Sequence, residues 1–217
     1  LISSIIITDL NLNNFSFYKF YIRRAKRLLP GLFVLILFTL VLAILILDLK
    51  SFGEFIETIF SSGLFYSNFL FWTEDAYSAE PSRLKFLLHT WSLSIEEQFY
   101  IFFPLLLFFL SYKNKANKII VYIFLISLLT STLLSIFLPS ANFFLMPTRI
   151  WEFLIGTIVF LYQKNFREKL NNLNGYLINF IFFVLLIFLL LFKIDSYHPS
   201  IFTLIPLVII SILIIRD

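Results

Sequence analysis

The feature that most limits what this chain can fold into is its succession of apolar blocks, several close to the length of a helix that crosses a bilayer. Crossing takes about 20 residues of helix. The blocks run over 29–47, 55–72, 98–111, 119–138, 143–162, 176–193 and 199–215, with the tail of another at 1–8. They lack the alternating segments of about 10 residues that the strands of a transmembrane barrel would show. Backbone groups in hydrocarbon must be paired within their own segment, so helix is the expected state. Hydrophobic residues make up 60% of the chain and charged ones 14%, against about 25% charged in soluble domains. That is too little polar surface to coat a water-facing globule. The expected fold is all-α, a polytopic transmembrane helical bundle.

No internal repeat, low-complexity tract or Gly-rich linker interrupts residues 1–217, which are expected to form one membrane domain. The first residue, Leu1, lies inside an apolar stretch, and the last block stops just before Asp217. The expectation is therefore of part of a larger bundle, without its first helix and with further C-terminal helices to come. The absence of Cys excludes disulfides, thiolate metal sites and a Cys nucleophile. With two His and no HxxxH spacing, no metal site is expected. No nucleic acid partner is expected either.

Connecting segments sort by charge. Lys19–Arg27, Lys113–Lys118 and Lys164–Lys169 are basic, whereas Asp48–Glu57, Thr73–Glu80 and Asp195–Pro199 are acidic or neutral. The positive-inside rule places the basic loops 19–27, 113–118 and 164–169 in the cytoplasm of a multi-pass plasma-membrane protein. Segments 119–138 and 143–162 then form one pair out and back, and 176–193 and 199–215 another. The 29–47 helix leaves the cytoplasm and 98–111 returns to it. Parity requires that 55–72 does not span, so it reads as a re-entrant or interfacial helix on the outer side.

Three constellations carry polar chemistry. In the first, Arg23, Arg24, Lys26 and Arg27 precede a helix expected to start near Pro30. Such a cluster can anchor topology against anionic lipid, or clamp a phosphate with arginine forks. Spacing alone favours the anchor. The second, Leu88-His89-Thr90-Trp91-Ser92-Leu93-Ser94-Ile95-Glu96-Glu97-Gln98-Phe99-Tyr100, sets ionisable groups at the edge of hydrocarbon, where they are costly and usually functional. Ser94 and Glu97 have the spacing of a capping box, which leaves His89, Ser92, Glu96 and Gln98 to be explained by function. On a helix starting near Ser94, Glu96 and Tyr100 share a face and Glu97 points elsewhere. In the third, Arg149 and Glu152 stand at i and i+3 inside an apolar helix. They form either a packing ion pair or part of a core site, with charge alone giving no preference. His198 reads as an ordinary loop residue.

Taken in order, Tyr21-Ile22-Arg23-Arg24-Ala25-Lys26-Arg27-Leu28-Leu29-Pro30, His89 to Tyr100 and Thr148-Arg149-Ile150-Trp151-Glu152 resemble the acyltransferase family 3 membrane proteins. That family includes bacterial O-antigen and other cell-surface polysaccharide O-acetyltransferases. The resemblance covers essentially the whole chain, and the middle motif is its most specific part. It implies an enzyme of many membrane helices that takes an acyl group, usually acetyl, from cytoplasmic acyl-CoA. The acceptor would be a glycan hydroxyl on the outer side, and the implied partners are membrane lipid, acetyl-CoA and that glycan. The family's proposed catalytic His lies on its first helix with an Arg upstream, a point after which this chain starts. The piece alone is thus expected to be inactive.

The resemblance assigns Arg23, Arg24 and Arg27 to the CoA phosphates. Glu96 would orient the base or position the acceptor, with His89 and Ser92 as hydrogen-bonding partners. Arg149 and Glu152 would shape the substrate region or lock helices together. Ser92 as a nucleophile has little support, because no Gly-rich elbow surrounds it. The rival readings are a transporter or flippase lined by Glu96, Arg149 and Glu152, and a membrane scaffold without catalysis. The first lacks a paired inverted repeat with broken helices; the second leaves the polar motif at 89–98 without a purpose.

Overall fold

A computed structural model describes residues 2–77, 85–111, 116–171, 176, 180, 182–184, 187 and 198–216. Among the described residues every regular element is helical. The long ones are α1 (Ile2–Asn11), α2 (Phe17–Ile46), α3 (Leu49–Gly63), α4 (Ser67–Tyr77), α5 (Thr90–Ser111), α6 (Ala116–Phe137), the short α7 (Pro139–Phe144), α8 (Ile150–Asn171) and α9 (Leu204–Arg216). Single 3-10 turns lie at Met146–Thr148 and Ile201–Thr203. Helices α2, α5 and α6 are long and apolar enough to cross a membrane, as expected of a membrane protein.

Several boundaries differ from the sequence expectation. The basic residues Lys19–Arg27 do not form a loop before a helix at Pro30; they lie on the first turns of α2, with Pro30 in its interior. Ser16 caps that helix by accepting from the Lys19 amide at 3.4 Å. Lys and Arg are good helix formers, and an interior Pro is tolerated in helices of this type. Lys164–Lys169 is likewise the end of α8 and not a loop. Of the basic segment Lys113–Lys118, residues 116–118 are described, at the start of α6. Most of the 176–193 segment lies outside the described residues, as do residues 78–80 and 195–197 of the acidic or neutral segments.

The 55–72 block is broken. At 1.5 Å per residue, α3 and α4 are only about 22 and 16 Å long, short of a hydrocarbon core of about 30 Å. The break has a local cause. The Tyr66 amide bonds the Ser61 carbonyl at 2.9 Å and the Phe65 amide bonds Ser62 at 3.3 Å, a Schellman closure with Phe65 in the left-handed region at φ 56. Asp48 begins α3, its carboxyl held below the usual carboxylate range by the Ser51 hydroxyl.

The chain falls into two compact units. One contains α2 to α4 and most of α5. Here the second half of α2 packs on α3 around Ala43, Phe55 and Leu87, flanked by Ile36, Leu40, Phe52 and Phe86. Helices α2 and α5 run antiparallel and meet through large side chains: Phe17 against Phe108 at 5.5 Å, then the Tyr21 hydroxyl donating to the Ile101 carbonyl at 3.0 Å.

The other unit contains most of α1 together with α6, α8 and α9. Ser127, Ser131 and Ser135 form a buried stripe at i, i+4 and i+8 on α6. Small hydroxyl residues let helices approach closely and supply hydrogen bonds where lipid offers no hydrophobic drive. Ser127 donates to the Pro147 carbonyl at 2.6 Å and accepts from the Trp151 amide at 3.2 Å. Ser131 donates to the Pro199 carbonyl at 2.9 Å.

Candidate functional site

The middle motif forms helix from Thr90 onward, one turn earlier than the capping-box reading placed its start. Ser94 is therefore no cap. Its hydroxyl, fully buried, pairs with the Ser67 hydroxyl of α4 at 2.8 Å. Counting from Thr90, positions 90, 94, 97 and 98 fall on one stripe, and that stripe holds the motif's inward chemistry. The Thr90 hydroxyl donates to the Leu87 carbonyl at 2.8 Å and lies 2.7 Å from the Ser62 hydroxyl and 3.1 Å from that of Ser67. Gln98 donates to the Phe65 carbonyl at 2.9 Å and to the Asn68 side-chain oxygen at 2.8 Å. Asn68 passes its own donor to the Phe144 carbonyl at 3.1 Å. The polar residues thus tie the broken α3–α4 segment to α5. Thr90→Val, which keeps shape, takes the buried Ser62 hydroxyl's partner away while Ser67 keeps Ser94, and should lower unfolding free energy in mixed micelles by about 1–3 kcal/mol. No measurable loss would mean that this network contributes nothing to stability.

At the next turn Arg24 enters from α2. Its Nε donates to Glu97 Oε1 at 2.7 Å, with the two side chains 16% and 11% exposed. The guanidinium carbon lies 3.2 Å from the centre of the Tyr100 ring, in cation–π range. Glu97 therefore points at the cation, contrary to the sequence expectation that it faced elsewhere. Glu96 is half-buried beside it and within electrostatic reach of Arg24. His89 and Ser92 are exposed, and the Ser92 hydroxyl donates to the His89 carbonyl at 3.0 Å. So the structure brings Arg24, Glu96, Glu97 and Tyr100 together, while His89 and Ser92 lie on the outward flank.

The basic cluster also divides. Lys19, Arg23, Lys26 and Arg27 are exposed and fall within one flank of α2, with Arg23 and Arg27 an i, i+4 pair. Arg24 alone faces α5.

In the other unit, Arg149 is 9% exposed and uses all three of its nitrogens. Nε donates to the Phe143 carbonyl at 2.9 Å, Nη1 to Glu152 at 3.3 Å, and Nη2 lies 3.3 Å from His198 Nε2. The Phe143 ring lies 4.9 Å from the guanidinium carbon. His198 is thus part of a buried polar cluster and not an ordinary loop residue. Asn142 and Thr148 extend it: Asn142 donates to the Pro199 carbonyl at 2.7 Å, and Thr148 to the Asn142 carbonyl at 2.8 Å. Sequence reasoning missed Glu97, Asn68 and His198 as partners. The i+7 and i+8 offsets from Thr90 could have found Glu97 and Gln98, whereas His198 lies too far along the chain for any local signal.

Residues 1–216 match the model of an acyltransferase domain family, acyltransferase family 3. The chain belongs to that family. An uncharacterized protein of Haemophilus influenzae is 30% identical over 233 residues, covering 99% of this chain and 92% of that one. O-acetyltransferase OatA of Staphylococcus aureus is 30% identical over 187 residues, which make up 78% of this chain. The chain spans only 30% of the length of that relative. No solved structure matches. Membership of acyltransferase family 3 makes this an acyltransferase chain.

Proposed function

We propose that the protein transfers an acyl group, acetyl above all, from cytoplasmic acyl-CoA to a hydroxyl of a cell-surface polysaccharide or lipid-linked glycan. It would do so in the plasma membrane, with its basic segments on the cytoplasmic side. The observation that carries this reading is the division of the cations on α2. Arg24 is committed to the Glu97–Tyr100 face of the family motif, and Arg23 and Arg27 stand exposed one turn apart.

The reaction joins the acceptor oxygen to the thioester carbonyl carbon and breaks the carbon–sulfur bond. The hydroxyl proton goes to a base and CoA leaves as its thiolate. Arg23 and Arg27 suit the phosphates of CoA, since guanidinium forks match phosphate oxygens two at a time. Arg24, held by Glu97, sets the position of this face. Glu96, with no ion pair among the described residues, is the carboxylate placed to orient the base or hold the acceptor hydroxyl. His89 and Ser92 are exposed and can hydrogen-bond substrate at the same end of α5. Arg149 and Glu152 serve as core polar residues that shape the other unit.

Membranes carrying the full-length protein and supplied with labelled acetyl-CoA should label glycan. Arg23→Gln with Arg27→Gln should raise KM for acetyl-CoA by roughly 10- to 100-fold, the equivalent of losing one charged hydrogen bond of about 1.5–3 kcal/mol. An unchanged KM would remove these two arginines from the donor site. Label that never reaches glycan would overturn the transferase reading of this chain.

A further inference from the structure

His198 joins the Arg149 cluster through a nitrogen that can only accept. A guanidinium carries donors and no acceptor and keeps its proton, and Nη2 of Arg149 lies 3.3 Å from His198 Nε2. The bond exists only while Nε2 is bare, which puts the single proton of the ring on Nδ1. The other two Arg149 nitrogens serve the Phe143 carbonyl and Glu152. Arg149, Glu152 and a neutral His198 together carry no net charge.

The ring has little room to adjust. Directly after it, the Pro199 carbonyl accepts from Ser131 at 2.9 Å and from Asn142 at 2.7 Å. Ser200 and Thr203 then close a turn through the Thr203 hydroxyl, and the Phe143 ring stands edge-on to the imidazole at 6.3 Å. The charged side chains placed against His198 are Arg149 and, behind it, Glu152. The second half of α6, all of α7 and residues 199–208 are uncharged. His198 itself is partly exposed, so water can bring it a proton.

We infer that His198 is a proton-sensitive latch between the segment entering α9 and the start of α8. Neutral, it accepts from Arg149 and the latch is closed. A proton on Nε2 removes the acceptor and sets two cations against each other. The latch then opens: the ring turns to water while Arg149 keeps Phe143 and Glu152. The unfolded chain takes this proton near the ordinary histidine value of about 6.5, and the closed latch does not. Stability is therefore full above that value and is lost as the pH falls through it.

Two measurements on the full-length protein in mixed micelles test the latch, and acyl transfer enters neither. The first is the nitrogen NMR spectrum of histidine-labelled protein near neutral pH, where the signals lost in His198→Phe belong to His198. They should show the proton on Nδ1 and a bare, hydrogen-bonded Nε2; a proton on Nε2 would overturn the assignment. The second is the unfolding equilibrium. Between about pH 7.5 and about pH 5.5 the parent's folded-to-unfolded ratio should fall about tenfold further than that of His198→Gln, which offers Arg149 an amide oxygen and cannot titrate. His198→Phe keeps a ring without a titrating group and should share the Gln profile. The comparison is one of slopes, so it survives a general loss of stability in either variant. Parallel profiles for the parent and both variants would overturn the latch.

Discussion

Glu97→Ala should lower the unfolding free energy in mixed micelles by about 3–5 kcal/mol, the range for leaving one charge of a buried pair without its partner. Arg24 has few ways to recover. It is 16% exposed and stacked on Tyr100, and it faces α5 from the first turns of α2. Arg24→Met combined with Glu97→Leu should be markedly more stable than Glu97→Ala alone, because removing both ions removes the desolvation problem along with the attraction. Acyl transfer should nevertheless be absent in both, since the face of the motif is set by the pair. A double variant no more stable than the single would mean that the 2.7 Å contact is not a compensating ion pair. A double variant that still transfers would separate the pair from catalysis.

The second large effect is expected at Arg149. Arg149→Met leaves Glu152 with its side chain 19% exposed and without its cation. It also removes the donor to the Phe143 carbonyl. A loss of about 3 kcal/mol or more is expected. Arg149→Lys should restore only a small part of it. Three nitrogens of one planar fork reach Phe143, Glu152 and His198, and a single ammonium cannot reproduce that geometry. The comparison of the two variants is the informative measurement. Full rescue by Lys would reduce the cluster to simple charge pairing, whereas a Lys variant as weak as Met would show that the directed hydrogen bonds matter.

Much of the fold could be read from the chain because apolar length is a strong signal. The blocks at 119–138 and 98–111 emerge as α6 and α5 with modest shifts. What misled was polar sequence on helices. Lys19–Arg27 looked like a loop by charge, and Pro30 looked like a first helical residue, but the helix had already begun behind Ser16. Ser94 and Glu97 mimicked a cap while the helix start lay at Thr90. It is Glu97 that meets Arg24, with Glu96 beside it. Periodicity reports which residues share a face; it does not report which face meets another helix. The partner of Arg149 across 49 residues had no local trace at all.

Helix α2 also shows why a membrane protein keeps an ion pair that a soluble one could replace with leucine. Its surface from Leu29 onward is nearly uniform hydrocarbon, with Phe33, Val34, Phe38 and Val41 all well exposed. In lipid such a surface distinguishes angular settings only through close packing, as at Ala43 against α3. The bond from Arg24 to Glu97 adds a directional constraint to that packing. It works as a key in a lock, admitting one angular setting of α2 against α5, and that setting decides which cations look outward.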